Sequence, residues 1–278
     1  MFGKIPLTKT LTAVADSCEA AERALRAEIQ NKHEAADEEL ITRLFHGELK
    51  DALRKASEDH LISRAFERDV ATAIGGVVNV PQPHELSIDL FAESRFHKRS
   101  VESKTGGDFG LLIVRPSIRI MSDWLEITMA KQGLLCQAKL KHGKKWDSLT
   151  DTQKKLLKNR TSFLSLVLYS YSDNQLSRLN PIEWQSCNGS TVKKIGGWLK
   201  ADEFPSRSSS SSVIHGLGSG TLGTDNKKTI EELIAATTYP VITVRIDWPD
   251  DKRPGEHVPI SVHQTERQQL QQVVILRS

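Results

Sequence analysis

Three side chains of this sequence combine types and spacing that could do chemistry together: Asp108, Gln137 and Lys139. Asp108 directly precedes the apolar, strand-forming segment FGLLIVR at 109–115. Gln137 and Lys139 lie near the end of a second such segment, LLCQAKL at 134–140. Alternate side chains of a β-strand point to the same face, so Gln137 and Lys139 would project side by side from a strand that is otherwise core.

A carboxylate, an amide oxygen and an ammonium would meet at one end of a sheet if these two strands pair. The two glycines before the carboxylate, Gly106 and Gly107, permit a tight turn and a close approach of the backbone. The side-chain oxygens of Asp108 and Gln137 suit a hard cation such as Mg²⁺ or Mn²⁺. That ion would lower the pKa of a bound water and offset the charge of a phosphate, while Lys139 would orient the water or stabilise the developing oxyanion.

Hydrophobic periodicity predicts the elements that must position these residues. Residues 12–58, as one helix or two, and residues 60–80 are typical of amphipathic helices. Four short segments after Pro81 are rich in strand formers, and a basic helix with Thr150 as its N-cap separates the last two. The predicted strands are 86–92, 109–115, 133–140 and 162–170, and the predicted helix between the last two spans 148–160. This order predicts a mixed α/β core with a crossover helix.

The chain is predicted to have three parts. They are an N-terminal helical region packed on the core (1–80), the core itself (81–175) and a C-terminal α/β extension (176–278). The extension contains a Ser- and Gly-rich stretch at 205–224, which is typical of a mobile loop or linker. A helix near 226–236 and a strand at 241–248 are predicted after it.

Positive charge is concentrated directly after the second apolar strand. Residues 139–160 hold eight Lys or Arg against two Asp. This excess could follow a phosphate backbone or could equally form a solvated helix face. The lysines expected to contact phosphates are Lys141, Lys144, Lys145, Lys154, Lys155 and Lys158.

The composition is that of an ordinary globular protein, with 38% hydrophobic and 26% charged residues. No apolar run approaches the roughly 18 residues that a membrane-spanning helix needs, and the N-terminus lacks the pattern of a secretory signal. The three cysteines are too few and too widely spaced for a disulfide framework or a zinc cluster. A cytoplasmic location and no membrane partner are therefore expected.

The order Asp108, then Gln137-Ala138-Lys139, resembles the active-site pattern of the PD-(D/E)xK nuclease superfamily. It is most similar to the Mrr-type restriction endonucleases, in which glutamine replaces the second acidic residue. The resemblance covers roughly residues 85–170. It implies a restriction-endonuclease-like core, a mixed β-sheet flanked by helices. It also implies that Asp108 binds the metal, that Gln137 takes the place of the second ligand, and that Lys139 is the catalytic lysine.

A further carboxylate is expected because Gln137 is neutral and binds a divalent cation more weakly than glutamate. A glutamate on a helix commonly completes the metal site in this superfamily, and Glu39 in the segment EELIT is such a residue. Glu102, in the segment before the first aspartate, is a second candidate. Glu38 and Glu48 are equally available from the same helical region.

The resemblance implies a Mg²⁺-dependent endonuclease that hydrolyses phosphodiester bonds in DNA, in restriction, antiphage defence or repair. Such nucleases often work with an ATPase or helicase. This chain has no P-loop motif of its own, so that motor would be a separate protein. A homodimer is plausible because a duplex requires two strand cuts. The alternative is a non-catalytic nucleic-acid-binding or assembly subunit that keeps the nuclease fold, which the neutral Gln137 favours.

Overall fold

The computed structural model describes the parts of the chain that build a helical layer and a sheet. The described residues are 4–30, 37–75, 89–97, 108–121, 124–142, 145–146, 149–157, 164–172, 175–176, 182–186, 209–235 and 241–259.

The N-terminal region is helical, as the periodicity predicts. Its three helices are α1 (Thr8–Gln30), α2 (Glu38–Glu58) and α3 (Leu61–Gly75). The predicted helical segment 12–58 therefore contains two helices rather than one. The second of them begins at an N-cap, Asp37, whose carboxylate accepts a hydrogen bond from the Leu40 amide at 2.7 Å.

The sheet is mixed and has eight strands in the described part of the chain. Six strands form its core: β1 (Phe91–His97), β2 (Phe109–Ile120), β3 (Trp124–His142), β5 (Leu164–Tyr169), β8 (Ile182–Ser186) and β9 (Val241–Asp247). Their order across the sheet is β1, β9, β2, β3, β5, β8. Two further strands, β4 (Lys145–Trp146) and β10 (His257–Pro259), pair with β3 outside this order, and β6 (Tyr171–Ser172) and β7 (Gln175–Leu176) form a separate pair.

The predicted order of helix, three strands, helix and strand is confirmed. Strand β2 pairs with β3 in antiparallel fashion, and β3 pairs with β5 in parallel. The crossover between these parallel strands contains helix α4 (Asp151–Leu157), whose first turn is capped by Thr150, because the Gln153 amide donates to the Thr150 hydroxyl at 3.2 Å. The α/β class is thus confirmed.

Strand β9 joins this core from the C-terminal part of the chain. It lies between β1 and β2, antiparallel to the first and parallel to the second. The C-terminal region therefore supplies an internal strand of the sheet. Strand β1 also begins at Phe91, five residues later than the start of the predicted segment at Leu86.

The two faces of β3 pack into different layers. Leu134, Cys136 and Ala138 belong to the large core that includes helices α1 to α3. Leu135 points to the other face, where a smaller apolar cluster includes Leu166 from β5. Gln137 and Lys139 share the parity of Leu135, so they project on the face of this smaller cluster.

The expectation of a mobile loop at 205–224 is wrong for residues 209–224, the part of this stretch that the structure describes. Ser209 caps helix α5 (Ser210–Ser219), and buried Val213 and Leu217 join the core against α1. Helix α6 (Lys227–Ala235) follows. Between the two helices, Thr224 and Gly133 exchange backbone hydrogen bonds of 2.9 Å, which tie this segment to β3. The burial of Val213, Ile214 and Leu217 on one helix face outweighs the low helix propensity of the serines.

Candidate active site

The register of β2 and β3 brings Asp108, Gln137 and Lys139 to one end of the sheet. Phe109 lies opposite Cys136, so Asp108 stands immediately beside Gln137. The Ala138 amide donates to Oδ2 of Asp108 at 2.7 Å, and Nε2 of Gln137 donates to the same oxygen. The strand pairing on which the predicted convergence depends is therefore present.

Glu38, the first residue of α2, completes this cluster. Its Oε1 lies 3.4 Å from Nζ of Lys139 and accepts a hydrogen bond from the Leu140 amide at 3.3 Å. The prediction that Glu39 is the helix glutamate is corrected here. Glu39 is exposed and pairs with Arg43 at 3.7 Å on the outer side of the helix. Successive helix residues point about 100° apart, so only one of two adjacent glutamates can face the sheet.

A buried pair of hydroxyls fixes the first turn of α2 against the sheet. The Thr42 hydroxyl donates to the Glu38 carbonyl at 2.7 Å and lies 2.7 Å from the Tyr169 hydroxyl. Because the single Thr42 proton is already donated, the Tyr169 hydroxyl is the donor in the second bond. Tyr169 is the last residue of β5, next to β3, so this contact holds the start of α2 beside Lys139.

The oxygen donors at this sheet end are compatible with a hard divalent cation. Gln137 is fully buried, and its Oε1 has no hydrogen-bond partner among the described residues. An orphaned buried carbonyl oxygen costs free energy unless a cation or a water satisfies it. The carboxylates of Asp108 and Glu38 provide the charged donors. In the described ranges, no group of three or more His, Cys, Asp and Glu side chains is arranged to hold a metal, so the amide oxygen would be needed.

Burial raises the pKa of the Asp108 carboxyl to about 6, from an ordinary value of 3.8. The Lys139 ammonium opposes this rise and the Glu38 carboxylate adds to it. The hydrogen bonds from the Ala138 amide and the Gln137 side chain also favour the ionised form, but they do not offset the desolvation. A carboxyl group whose pKa is raised by burial next to specific charged partners is typical of a functional site.

Replacing Asp108 with Asn is expected to stabilise the metal-free protein above pH 6. A folded-state pKa raised to about 6 means that the ionised carboxylate destabilises the fold above that pH. The penalty disappears below the ordinary value of 3.8. The isosteric amide keeps an acceptor for the Ala138 amide and removes the charge. Urea denaturation in EDTA should show a gain of about 1–3 kcal/mol at pH 7.5 and almost none near pH 4. A loss of stability at pH 7.5 would contradict the assignment of an energetically costly carboxylate.

The remaining predicted site residues are only partly described. Lys155 is exposed on α4, as a phosphate-contacting lysine would be. Strands β3 and β4 and helix α4 contain the backbones of Lys141, Lys145 and Lys154 respectively. Glu102, Lys144 and Lys158 lie outside the described residues, as do the two glycines before Asp108.

Sequence reasoning named Glu38 only as an equal alternative, and it did not find the pair Thr42 and Tyr169. The N-cap Asp37 places both Glu38 and Glu39 in the first turn of α2, so this local signal does not distinguish them. The hydroxyl pair joins residues 127 positions apart, and no local pattern indicates it.

Comparisons with protein-family models, with curated proteins and with solved structures return no match for this chain. In the described part of the chain, no helix combines the length and apolar character that crossing a membrane requires. A functional assignment therefore depends on the geometry of the site and on the resemblance of its residue pattern.

Proposed function

We propose that this protein is a divalent-metal-dependent nuclease with a restriction-endonuclease-like core, and that it hydrolyses phosphodiester bonds in DNA. The observation that carries the proposal is the meeting of Asp108, Gln137 and Lys139 at one sheet end, with Glu38 against the lysine. The resemblance to the QxK branch of the PD-(D/E)xK superfamily depends on the same three residues, in the order Asp108, Gln137, Lys139.

Asp108, the Oε1 atom of Gln137 and Glu38 would hold Mg²⁺ or Mn²⁺. The ion, when bound, supplies a bound water of lowered pKa and neutralises charge on the scissile phosphate. With both carboxylates ionised, Asp108, Glu38 and Lys139 together carry one net negative charge, which would repel a phosphodiester. A divalent cation reverses that sign, so the residue set itself argues for a metal.

Lys139 would donate a hydrogen bond to the attacking water or to the oxyanion that develops on phosphorus. Its side chain is only 8% exposed, and Glu38 at 3.4 Å restrains the ammonium. A charged donor that is fixed in a largely buried site stabilises developing negative charge without reorganising during the reaction. The backbone amide of Ala138 and the side chain of Gln137 orient the Asp108 carboxylate in the same way.

DNA is the proposed substrate because the last residues of β3 and the segment after it are basic. Lys155, with Lys141, Lys144, Lys145, Lys154 and Lys158, would contact backbone phosphates, which position a duplex without reading its sequence. We assign the activity to restriction or antiphage defence in the cytoplasm, with an ATPase or helicase partner and a homodimer for double-strand cleavage. The free buried thiols of Cys18 and Cys136 are consistent with a reducing compartment.

Incubation of supercoiled plasmid with the purified chain tests the proposal. Nicked and linear products are expected with Mg²⁺ or Mn²⁺ and not with EDTA. The same preparation of a site variant controls for contaminating nuclease, since equal cutting by variant and wild type would show that the activity belongs to another protein.

A non-catalytic nucleic-acid-binding or assembly subunit is the second candidate. Gln137 is neutral, so the carboxylates at the described site are the two of Asp108 and Glu38. This small number of charged donors favours a subunit that does not catalyse. This candidate predicts DNA binding that weakens steeply with salt, and no cleavage at any metal concentration.

A further inference from the structure

A cavity of about 450 Å³ lies on the same face of the sheet as Gln137 and Lys139. Lys131 on β3 lines it and precedes Gln137 by six residues, an even number, so both side chains share a face. The β2–β3 pairing is continuous between these positions, without a bulge that would reverse the parity. At about 3.3 Å per residue, Lys131 is roughly 20 Å from Gln137 along β3.

The walls of this cavity are mainly apolar. The apolar lining residues are Leu112 and Val114 of β2, Met129 of β3, Val241 of β9 and Ile234 of α6. The volume is within the range of small-molecule sites, which combine apolar walls with a few fixed polar groups.

Two arginines at the cavity are held side by side by one buried carboxylate. Asp247 is fully buried, and its Oδ2 accepts from Nε and NH2 of Arg245 at 2.9 and 2.5 Å and from NH2 of Arg253 at 2.6 Å. Its Oδ1 accepts from the Trp248 amide at 2.9 Å. The side chains of Arg245 and Arg253 remain 32% and 43% exposed, so they keep donors available outside this network.

The cavity carries an excess of positive charge. Lys131 is exposed and adds a third cation, while Asp247 is the one acidic residue among the described lining residues. On the neighbouring edge strand, Glu93 lies opposite Arg245, but its carboxylate is 2.9 Å from NH2 of Arg95. Fixed guanidinium groups and an ammonium that line one cavity match the charge of a phosphate.

We propose that this cavity binds a nucleotide, with Arg245, Arg253 and Lys131 on the phosphate and the apolar walls against the base. The nucleotide is either a free effector or one unit of a nucleic-acid strand. The proposal is independent of the nuclease activity, because the cavity shares no residue with the site at Asp108 and Lys139.

Calorimetric titrations in EDTA, without metal, test this inference and keep the active site from acting. The probes are the four common nucleoside monophosphates, ATP, inorganic phosphate and a single-stranded oligonucleotide. At least one nucleotide probe is expected to bind with a dissociation constant below about 1 mM and more tightly than inorganic phosphate. Binding of free nucleotides identifies an effector site, and binding of the oligonucleotide alone identifies a strand-contacting site.

Two cavity variants and one control decide whether the binding is at this place. Lys131→Ala is expected to weaken binding about tenfold by removing a charged donor, and Val114→Phe should weaken it by filling the apolar wall. Lys228→Ala, at an exposed position on α6 outside the cavity, should leave it unchanged. The inference is overturned if neither a free nucleotide nor the oligonucleotide binds, if inorganic phosphate binds as tightly as they do, or if both cavity variants bind like wild type. Failure of this inference is distinguishable from failure of the nuclease proposal, because binding is measured without metal and cleavage with it.

Discussion

Asp108→Asn and Lys139→Met are each expected to lower metal-dependent plasmid cleavage by at least about a thousandfold. The first substitution removes the central charged donor, whose Oδ2 already receives two hydrogen bonds from β3. The second keeps the apolar stem of the buried lysine and removes the ammonium that would stabilise the developing oxyanion. Initial rates of nicking, measured at saturating Mg²⁺ with equal folded protein, give the comparison.

The stability of the Asp108→Asn protein separates a catalytic loss from an unfolded variant. This substitution is expected to raise the free energy of unfolding at pH 7.5, because it removes a carboxylate whose pKa burial raises to about 6. An inactive but more stable variant is the result expected for a functional residue. Cleavage by either variant within a few-fold of wild type would contradict the assignment of roles.

Glu38→Gln is expected to reduce cleavage by about 10- to 100-fold and to raise the Mg²⁺ concentration at half-maximal rate. The amide keeps an acceptor for the Leu140 amide but removes the charge 3.4 Å from Nζ of Lys139. The lysine is then less restrained, and one charged donor to the cation is lost. A Mg²⁺ titration of the nicking rate measures both effects.

Glu39→Gln provides the matched control, one residue further along the same helix. Its carboxylate is exposed and pairs with Arg43, and exposed pairs of this kind contribute about 0–1 kcal/mol to stability. Its nicking rate should stay within about twofold of wild type. If Glu39→Gln were the impaired variant and Glu38→Gln were normal, the orientation of α2 against the sheet would be wrong.

Local sequence patterns were sufficient for the elements that carry the site. Apolar segments predict the parts of β2, β3 and β5 nearest the site, and the crossover helix has a recognisable N-cap in Thr150. Strand β2 continues to Ile120 and β3 begins at Trp124, nine residues before its predicted start, because both extensions are interrupted by charged and polar residues. Because β2 and β3 are adjacent in sequence and antiparallel, the meeting of Asp108 with Gln137 also follows from local information.

The remaining features depend on contacts that are distant in sequence. Strand β9 lies between β1 and β2 in the sheet. The periodicity of residues 241–247 can predict a strand but not the strands with which it pairs. Helix α5 forms because α1 covers its apolar face, although its serines alone predict a loop. The choice of Glu38 over Glu39 depends on one helical step of about 100°, which Tyr169 fixes through Thr42.

Anomalous diffraction from crystals soaked in Mn²⁺ tests the central claim most directly. The account predicts a Mn²⁺ peak about 2.0–2.5 Å from oxygens of Asp108 and from Oε1 of Gln137, with Lys139 beside it. That peak should disappear in Asp108→Asn crystals soaked in the same way. A well-ordered site with no Mn²⁺ beside Asp108 at saturating concentration, or a peak that the Asn variant retains, would contradict it.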